Sequence, residues 1–181
     1  CQKALSLDDK NATFYALEAR VLLARKEYKL AIKANEKAIA LNPTLAVAHC
    51  SLGDSLAYEG RYDEAMIFFG QAIDLSPNDP QLWAFLTYGA LVHIFKQDFE
   101  SALDWTTRAS SIPNYQYWAT AHSLVAHAYL GNEQDVITTR LKLMQECPHF
   151  SCGFAREKLF FLKKQSQIDL YIKGLQIAGI N

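Results

Sequence analysis

Residues 46–79 read AVAHCSLGDSLAYEGRYDEAMIFFGQAIDLSPND, and the same pattern precedes them at a fixed distance. Leu22, Tyr28, Ala31, Ala38, Leu41 and Pro43 recur 34 residues later as Leu56, Tyr62, Ala65, Ala72, Leu75 and Pro77, so the chain has an internal repeat. The register continues at an offset of 37 residues to Phe99, Ala102, Ala109 and Ile112, and returns to 34 for Val136, Leu143 and Pro148. The additional residues of the third unit amount to about one helical turn. The simplest place for them is the start of that unit's first helix, near Trp83.

Within each unit an apolar stretch of helical period is followed by a short turn, a second such stretch and a proline stop, which predicts two antiparallel helices per unit. Small residues fall where paired helices must approach closely, so Gly53, Ala65 and Ala72 are expected at contacts. Gly60 and Gly131 fit the turns between helices, where a positive φ is reached without strain only by glycine. Pro43, Pro77 and Pro148 end the second helices. Asp63 and Glu64 stand at the start of one, where carboxylates meet the positive end of the helix dipole.

The register divides the chain into a single repeat domain over residues 1–181. Residues 12–45 and 46–79 form the first two units, 80–116 an extended third and 117–149 a degenerate fourth. Ala4 pairs with Ala38 and Leu7 with Leu41, so residues 1–11 read as the second helix of a preceding, truncated unit. Such an uncovered half-unit is also expected to favour self-association. Residues 150–181 leave the pattern and read as C-terminal capping helices. There, Ser166-Gln167-Ile168-Asp169 reads as a capping box opening a helix whose apolar face is Ile168, Tyr171, Ile172 and Leu175, closed by Gly179.

Eighteen basic residues stand against nineteen acidic ones with no block of like charge, which argues against nucleic acid and anionic membrane as partners. The longest stretch almost free of charge, residues 76–93, carries Asp79, Pro, Asn, Gln and Thr and does not read as a membrane span. Cys1, Cys50, Cys147 and Cys152 show no disulfide spacing and suit free thiols in a reducing, cytoplasmic setting.

The repeated residues resemble the tetratricopeptide repeat, whose pattern is W-x2-L-G-x2-Y, then A-x3-F, then P. In the second unit Leu52-Gly53, Ala65, Phe69, Ala72 and Pro77 occupy the family's places, with His49 at the tryptophan and Leu56 at the tyrosine. The first unit keeps Tyr15, Leu22, Ala31, Ala38 and Pro43, but has Glu18-Ala19 for the Leu-Gly pair. The resemblance implies an all-α, α-α superhelix whose first helices line a concave groove for a protein or peptide. It places Ala16, Arg20, Leu23, Asp54, Tyr58, Thr87, Leu91, Phe95, Trp118, Val125 and Tyr129 on that groove, an aromatic and apolar surface suited to similar partners. The family's clamp for acidic chaperone C-termini is absent, because its places hold Ala16, Arg20, Ser51, Ala84 and Tyr88.

A narrower resemblance joins Asp79-Pro80-Gln81-Leu82-Trp83-Ala84-Phe85, the fourth unit and Gly174-Leu175-x2-Ala178-Gly179-Ile180. These look like the C-terminal repeat regions of bacterial signalling proteins that carry a class III adenylate/guanylate cyclase or a winged-helix head. That implies a regulatory or sensory arm; the other readings are a stand-alone adaptor and the repeat region of a winged-helix regulator.

No residue is assigned to catalysis, a cofactor or a metal. The run Cys147-Pro148-His149-Phe150-Ser151-Cys152 offers three soft ligands without a fourth, at a turn the repeat already explains. His122 and His127 are five positions apart and so do not share a helix face. There is no GxSxG, no phosphate loop and no HExxH.

Overall fold

The structure is a computed structural model that describes residues 10–181. Ten helices and no strand lie among the described residues: α1 (Ala12–Ala24), α2 (Tyr28–Leu41), α3 (Ala46–Glu59), α4 (Tyr62–Leu75), α5 (Leu82–Phe95), α6 (Phe99–Ser110), α7 (Trp118–Leu130), α8 (Glu133–Glu146), α9 (Cys152–Lys158) and α10 (Gln165–Ile177). The half-unit expected over residues 1–11 lies almost wholly outside the described residues. The chain divides into two compact units, Cys1–Asn78 and Asp79–Asn181.

In unit 1, α1 pairs with α2 and α3 with α4, while α3 also packs on both α1 and α2. Asn11 caps α1, its side chain accepting from the Thr13 amide at 3.0 Å, which satisfies a donor that the helix itself leaves free. The contacts are built from small residues. Ala16, Ala38 and Ala48 form one cluster, flanked by Tyr15, Ile39 and Leu45. Ala19, Ala31 and Ala34 form another, under Leu22 and Leu23. Between α3 and α4 the approach is closest at Gly53, where a Cβ would stand 2.8 Å from Cε1 of Phe69.

Ala65 is fully buried on α4, so Ala65→Phe should destabilise the fold by about 1–3 kcal/mol through overpacking. A thermal melt followed by circular dichroism checks this, and an unchanged midpoint would count against the register.

The turns between paired helices come in two forms. Gly60 (φ 98°) and Gly131 (φ 71°) close α3 and α7 in the left-handed region, as expected for glycine. After α1 and α5 the turns are one residue longer, with Lys26 (φ 63°) and Gln97 (φ 59°) taking the positive φ instead. The second helices α2, α4 and α8 are closed by Asn42 (φ −143°), Ser76 (φ −144°) and Cys147 (φ −145°), all outside the helical region, because the proline that follows disfavours that region for the residue before it.

Two expectations are corrected here. The third unit does not gain a helical turn near Trp83, since α5 and α3 both have 14 residues. Its additional residues sit in the loop 76–81, which has six residues where 42–45 has four, and in the longer turn 96–98. Loops absorb insertions at small cost, whereas a longer helix would shift every contact beyond it. Nor does Ser166 open a capping box: α10 starts at Gln165 without a side-chain cap. Gln165 instead donates from Nε2 to Oδ1 of Asp169 at 2.8 Å, which takes up the carboxylate one turn into the helix.

In unit 2, α5 pairs with α6 and α7 with α8, and α7 packs on both α5 and α6. The sequence of α5, LWAFLTYGALVHIF, has no Asp, Glu, Lys or Arg, and a helix apolar on every side requires cover on every side. One side is covered by α10, which packs on α7 and α5. Gly179 (φ 77°) follows the Ala178 C-cap and closes α10 as the sequence suggests.

Candidate protein-binding surface

The groove positions fall on the first helices α1, α3, α5 and α7, and the two units treat them differently. On α1, Ala16 is buried in the alanine cluster, Leu23 is half-buried and Arg20 is exposed. On α3, Asp54 is 8% exposed and Tyr58 4% exposed. The Tyr58 ring lies 6.3 Å from that of Tyr28 on α2. Burial pushes the Asp54 carboxyl well above the usual carboxylate range, against the opposing pull of the Arg20 guanidinium and the Tyr58 hydroxyl. Its Oδ1 is buried without a hydrogen-bond partner. Beside it, Asn35 donates from Nδ2 to the Ser51 hydroxyl at 3.2 Å, and Ser55 donates to the Ser51 carbonyl at 2.9 Å. Unit 1 thus brings Arg20, Asp54 and Tyr58 together into a polar cluster within an otherwise apolar helix array.

In unit 2 the corresponding face is already occupied. Thr87, Leu91 and Phe95 on α5 are buried, Thr87 returning its hydroxyl to the Trp83 carbonyl at 2.7 Å. On α7, Val125 is fully buried, with Trp118 and Tyr129 half-buried. The occupant is α10. The Tyr129 hydroxyl donates to the Leu170 carbonyl at 2.7 Å, and the Tyr171 hydroxyl lies 2.7 Å from Nδ1 of His122. A Cβ on Gly174 would stand 2.6 Å from Cγ1 of Val125 and 2.8 Å from Cε2 of Tyr129, so glycine sets how closely α10 approaches. Burial alone lowers His122 to about 3, and burial with a smaller push from Tyr117 holds Tyr171 well above the usual phenol range, leaving a neutral pair.

Two of the expected groove residues, Val125 and Tyr129, therefore lie against α10. His122, Tyr171 and Gly174 were not among the groove positions. Their signal in the sequence is a glycine inside a helical pattern, which costs helix stability and so implies a packing reason.

Cys147 is buried with Sγ 3.7 Å from Nε2 of His149, while the Cys152 thiol donates to the Ile180 carbonyl at 3.2 Å. The two sulfurs thus have separate partners, and no group of three His, Cys, Asp or Glu converges among the described residues. No helix among the described residues is long and apolar enough to cross a membrane.

Residues 46–79, the stretch that includes α3 and α4, match the family model of the tetratricopeptide repeat. Solved structures extend the likeness to nearly the whole chain. PilW, a widely conserved type IV pilus biogenesis factor, superposes with a TM-score of 0.78 at 17% identity, covering 98% of this chain and 78% of PilW. The fold is that of a tetratricopeptide-repeat protein. PilF of Pseudomonas aeruginosa gives 0.71 at 20% identity over 97% of this chain and 78% of its own. YrrB, a tetratricopeptide protein described as having an unusual peptide-binding site, gives 0.64 at 18% identity over 98% and 89%. None of the curated proteins matches the chain.

Departures from the tetratricopeptide pattern have local explanations. His49, in the tryptophan's place, spans the Pro43 carbonyl at 2.9 Å and Oε1 of Gln71 at 3.0 Å, tying the start of α3 to the loop before it and to α4. Where the pattern is kept, it is kept by packing: Gly53 admits the Phe69 ring, and Ala65 and Ala72 are fully buried.

Proposed function

We propose that this chain is a protein–protein interaction scaffold without chemistry of its own, binding polypeptide segments on the faces of its first helices. The observation that supports this reading is α10 seated on α5 and α7, a helix held against two first helices. The peptide-binding site attributed to YrrB supports the same use of the fold. In unit 1 the recognition residues are Arg20, Leu23, Asp54 and Tyr58. Arg20 offers a cation to solvent, beside the buried Asp54 and Tyr58. In unit 2 the recognition residues are Thr87, Leu91, Phe95, Trp118, Val125 and Tyr129, of which Val125 and Tyr129 contact α10.

Arg20→Glu tests this reading, since the side chain is exposed and its loss leaves the core intact. Reversing that charge should lower partner recovery by the immobilised chain about tenfold with an unchanged melting midpoint. Undiminished recovery would remove unit 1 as the recognition surface. Alanine at Tyr58 and Phe95 is a poorer probe, because both are buried and their truncation also costs stability.

The finer reading is a regulatory arm of a larger bacterial signalling protein of the adenylate cyclase kind, with a stand-alone adaptor or a winged-helix regulator as the alternatives. It rests on residues 79–85, the fourth unit and residues 174–180. Phe85, Leu175, Ala178 and Ile180 in those stretches are buried, so the likeness includes packing positions and supports the fold more than any head domain. The coding sequence upstream of Cys1 decides it: a cyclase or winged-helix domain there supports the arm, and further repeats alone support the adaptor. A cytoplasmic location fits the thiols of Cys147 and Cys152. Leu17 and Val21, one turn apart on α1 and each 49% exposed, would carry any self-association.

A further inference from the structure

The position of α10 differs from that of every other helix in the stack. A first helix that continues a repeat array packs on both helices of the pair before it, as α3 does on α1 and α2, and α7 on α5 and α6. By contrast, α10 packs on α5 and α7, two first helices, and on α9, and meets the second helix α8 through the Arg140 side chain at its C-terminal end. It therefore does not extend the array. It lies along the first-helix face of unit 2, where the binding reading above puts a ligand.

Its sequence meets that face as a bound peptide would. Tyr171, Ile172 and Leu175 present a buried apolar stripe, and Gly174 sits at the closest approach to Val125 and Tyr129. Polar anchoring includes the Tyr171 hydroxyl at His122, the Tyr129 hydroxyl at the Leu170 carbonyl, Arg140 Nη1 donating to the Ala178 carbonyl at 3.2 Å, the Arg156–Asp169 ion pair at 3.9 Å and, past the helix end, the Cys152 amide and thiol on the Asn181 and Ile180 carbonyls. The opposite side, with Asp169, Lys173, Gln176 and Ile177, is exposed. A connector of six residues, 159–164, joins α10 to α9, and its Phe160, Lys163 and Lys164 are exposed.

From this geometry, and resting on the scaffold reading, we infer that α10 is a resident, displaceable ligand of the unit 2 face. The partner that replaces it is an amphipathic helix of the same chemistry, with an aliphatic stripe, an aromatic hydroxyl for His122 and a glycine at the contact with Val125. The short connector keeps α10 at an effective concentration in the millimolar range, so a free helix binds only when the resident one is weakened or outcompeted.

The test uses the full chain and a fluorescein-labelled synthetic peptide of residues 163–181. In Gly174→Val the added carbons collide with Val125 and Tyr129, which expels the resident helix while the labelled peptide keeps its own glycine. Fluorescence anisotropy should show the peptide binding to Gly174→Val about tenfold or more tightly than to the unaltered chain, as the tethered competitor is lost. A peptide carrying Gly174→Val itself should not bind.

A Gly174→Val chain that keeps its helicity and cooperative melt, yet binds the peptide no better than the unaltered chain, overturns the inference. If that variant loses its fold, Tyr171→Phe, which removes only the hydroxyl at His122, is judged by the same gain in peptide affinity. No gain there overturns the inference as well. The Arg20→Glu result depends on unit 1 alone, so failure of the scaffold reading there and failure of the exchangeable helix in unit 2 are read separately.

Discussion

Phe69→Ala is expected to destabilise the protein by about 3–5 kcal/mol, near the upper end for a single core truncation. Phe69 is fully buried, and its ring lies against the backbone of α3 at Gly53, so the deletion leaves a void between two helices that glycine cannot help to fill. The partner change has a dependent sign. Gly53→Ala alone places a Cβ 2.8 Å from the ring and should cost about 1–3 kcal/mol by overpacking. In the Phe69→Ala background the same alanine meets no ring, and the gain in helix propensity, about 1 kcal/mol, should prevail. Urea unfolding of the four chains by circular dichroism measures the coupling. Additive costs would show that the two residues do not share the contact described.

The second large effect is on acid stability in unit 2. His122 is held neutral by burial, with a folded-state pKa of about 3 against an ordinary 6.5. Below pH 6.5 the unfolded chain takes up a proton that the folded chain refuses, so stability falls as the pH falls from 6.5 towards 3. The loss from this one group should be about 2 kcal/mol at pH 5 and about 3 kcal/mol at pH 4. The groups facing it, Tyr171 and Trp118, carry no charge to offset the loss. Burial also lowers His93 and His127, which act in the same direction. Asp54 in unit 1 has the opposite sign: its raised pKa makes the folded form the better proton acceptor, so acid relieves a cost there. All three tryptophans, Trp83, Trp105 and Trp118, belong to unit 2, so their fluorescence reports that unit. Denaturant midpoints at pH 7 and pH 5 should differ in the unaltered chain and differ less in His122→Gln, where His93 and His127 still contribute. A pH-independent midpoint in the unaltered chain would mean that His122 is hydrated.

The periodicity alone locates most of the architecture. Leu22, Ala31 and Ala38 recurring as Leu56, Ala65 and Ala72 imply helices packed at a constant spacing, and the boundaries of α2, α3 and α4 lie where the prolines and Gly60 put them. Such features are local: a helix stop, a left-handed turn and a small residue at a close contact are each dictated by neighbours in sequence. The insertion in the third unit was harder to place, because an offset of 37 between conserved apolar positions says how many residues were added but not whether they are helical. The capping box failed for a similar reason. Four residues matched the motif, but the start of α10 is set by the face it must bury, and that start is Gln165.

The candidate site divides along the same line. Composition and repeat register by themselves determined an all-helical array of helix pairs, the residues that each first helix presents, and the lack of any motif for catalysis. Only the tertiary structure decided which of those residues remain available. Asp54 becomes a buried carboxyl beside Arg20 and Tyr58, and Val125 and Tyr129 pack against α10. Helix periodicity is written within about four residues of each position, whereas the contact between His122 and Tyr171 spans 49 positions and depends on the face two other helices leave uncovered. The charge-free sequence of α5 announced that something must cover it; the fold decided that the chain does so with its own last helix.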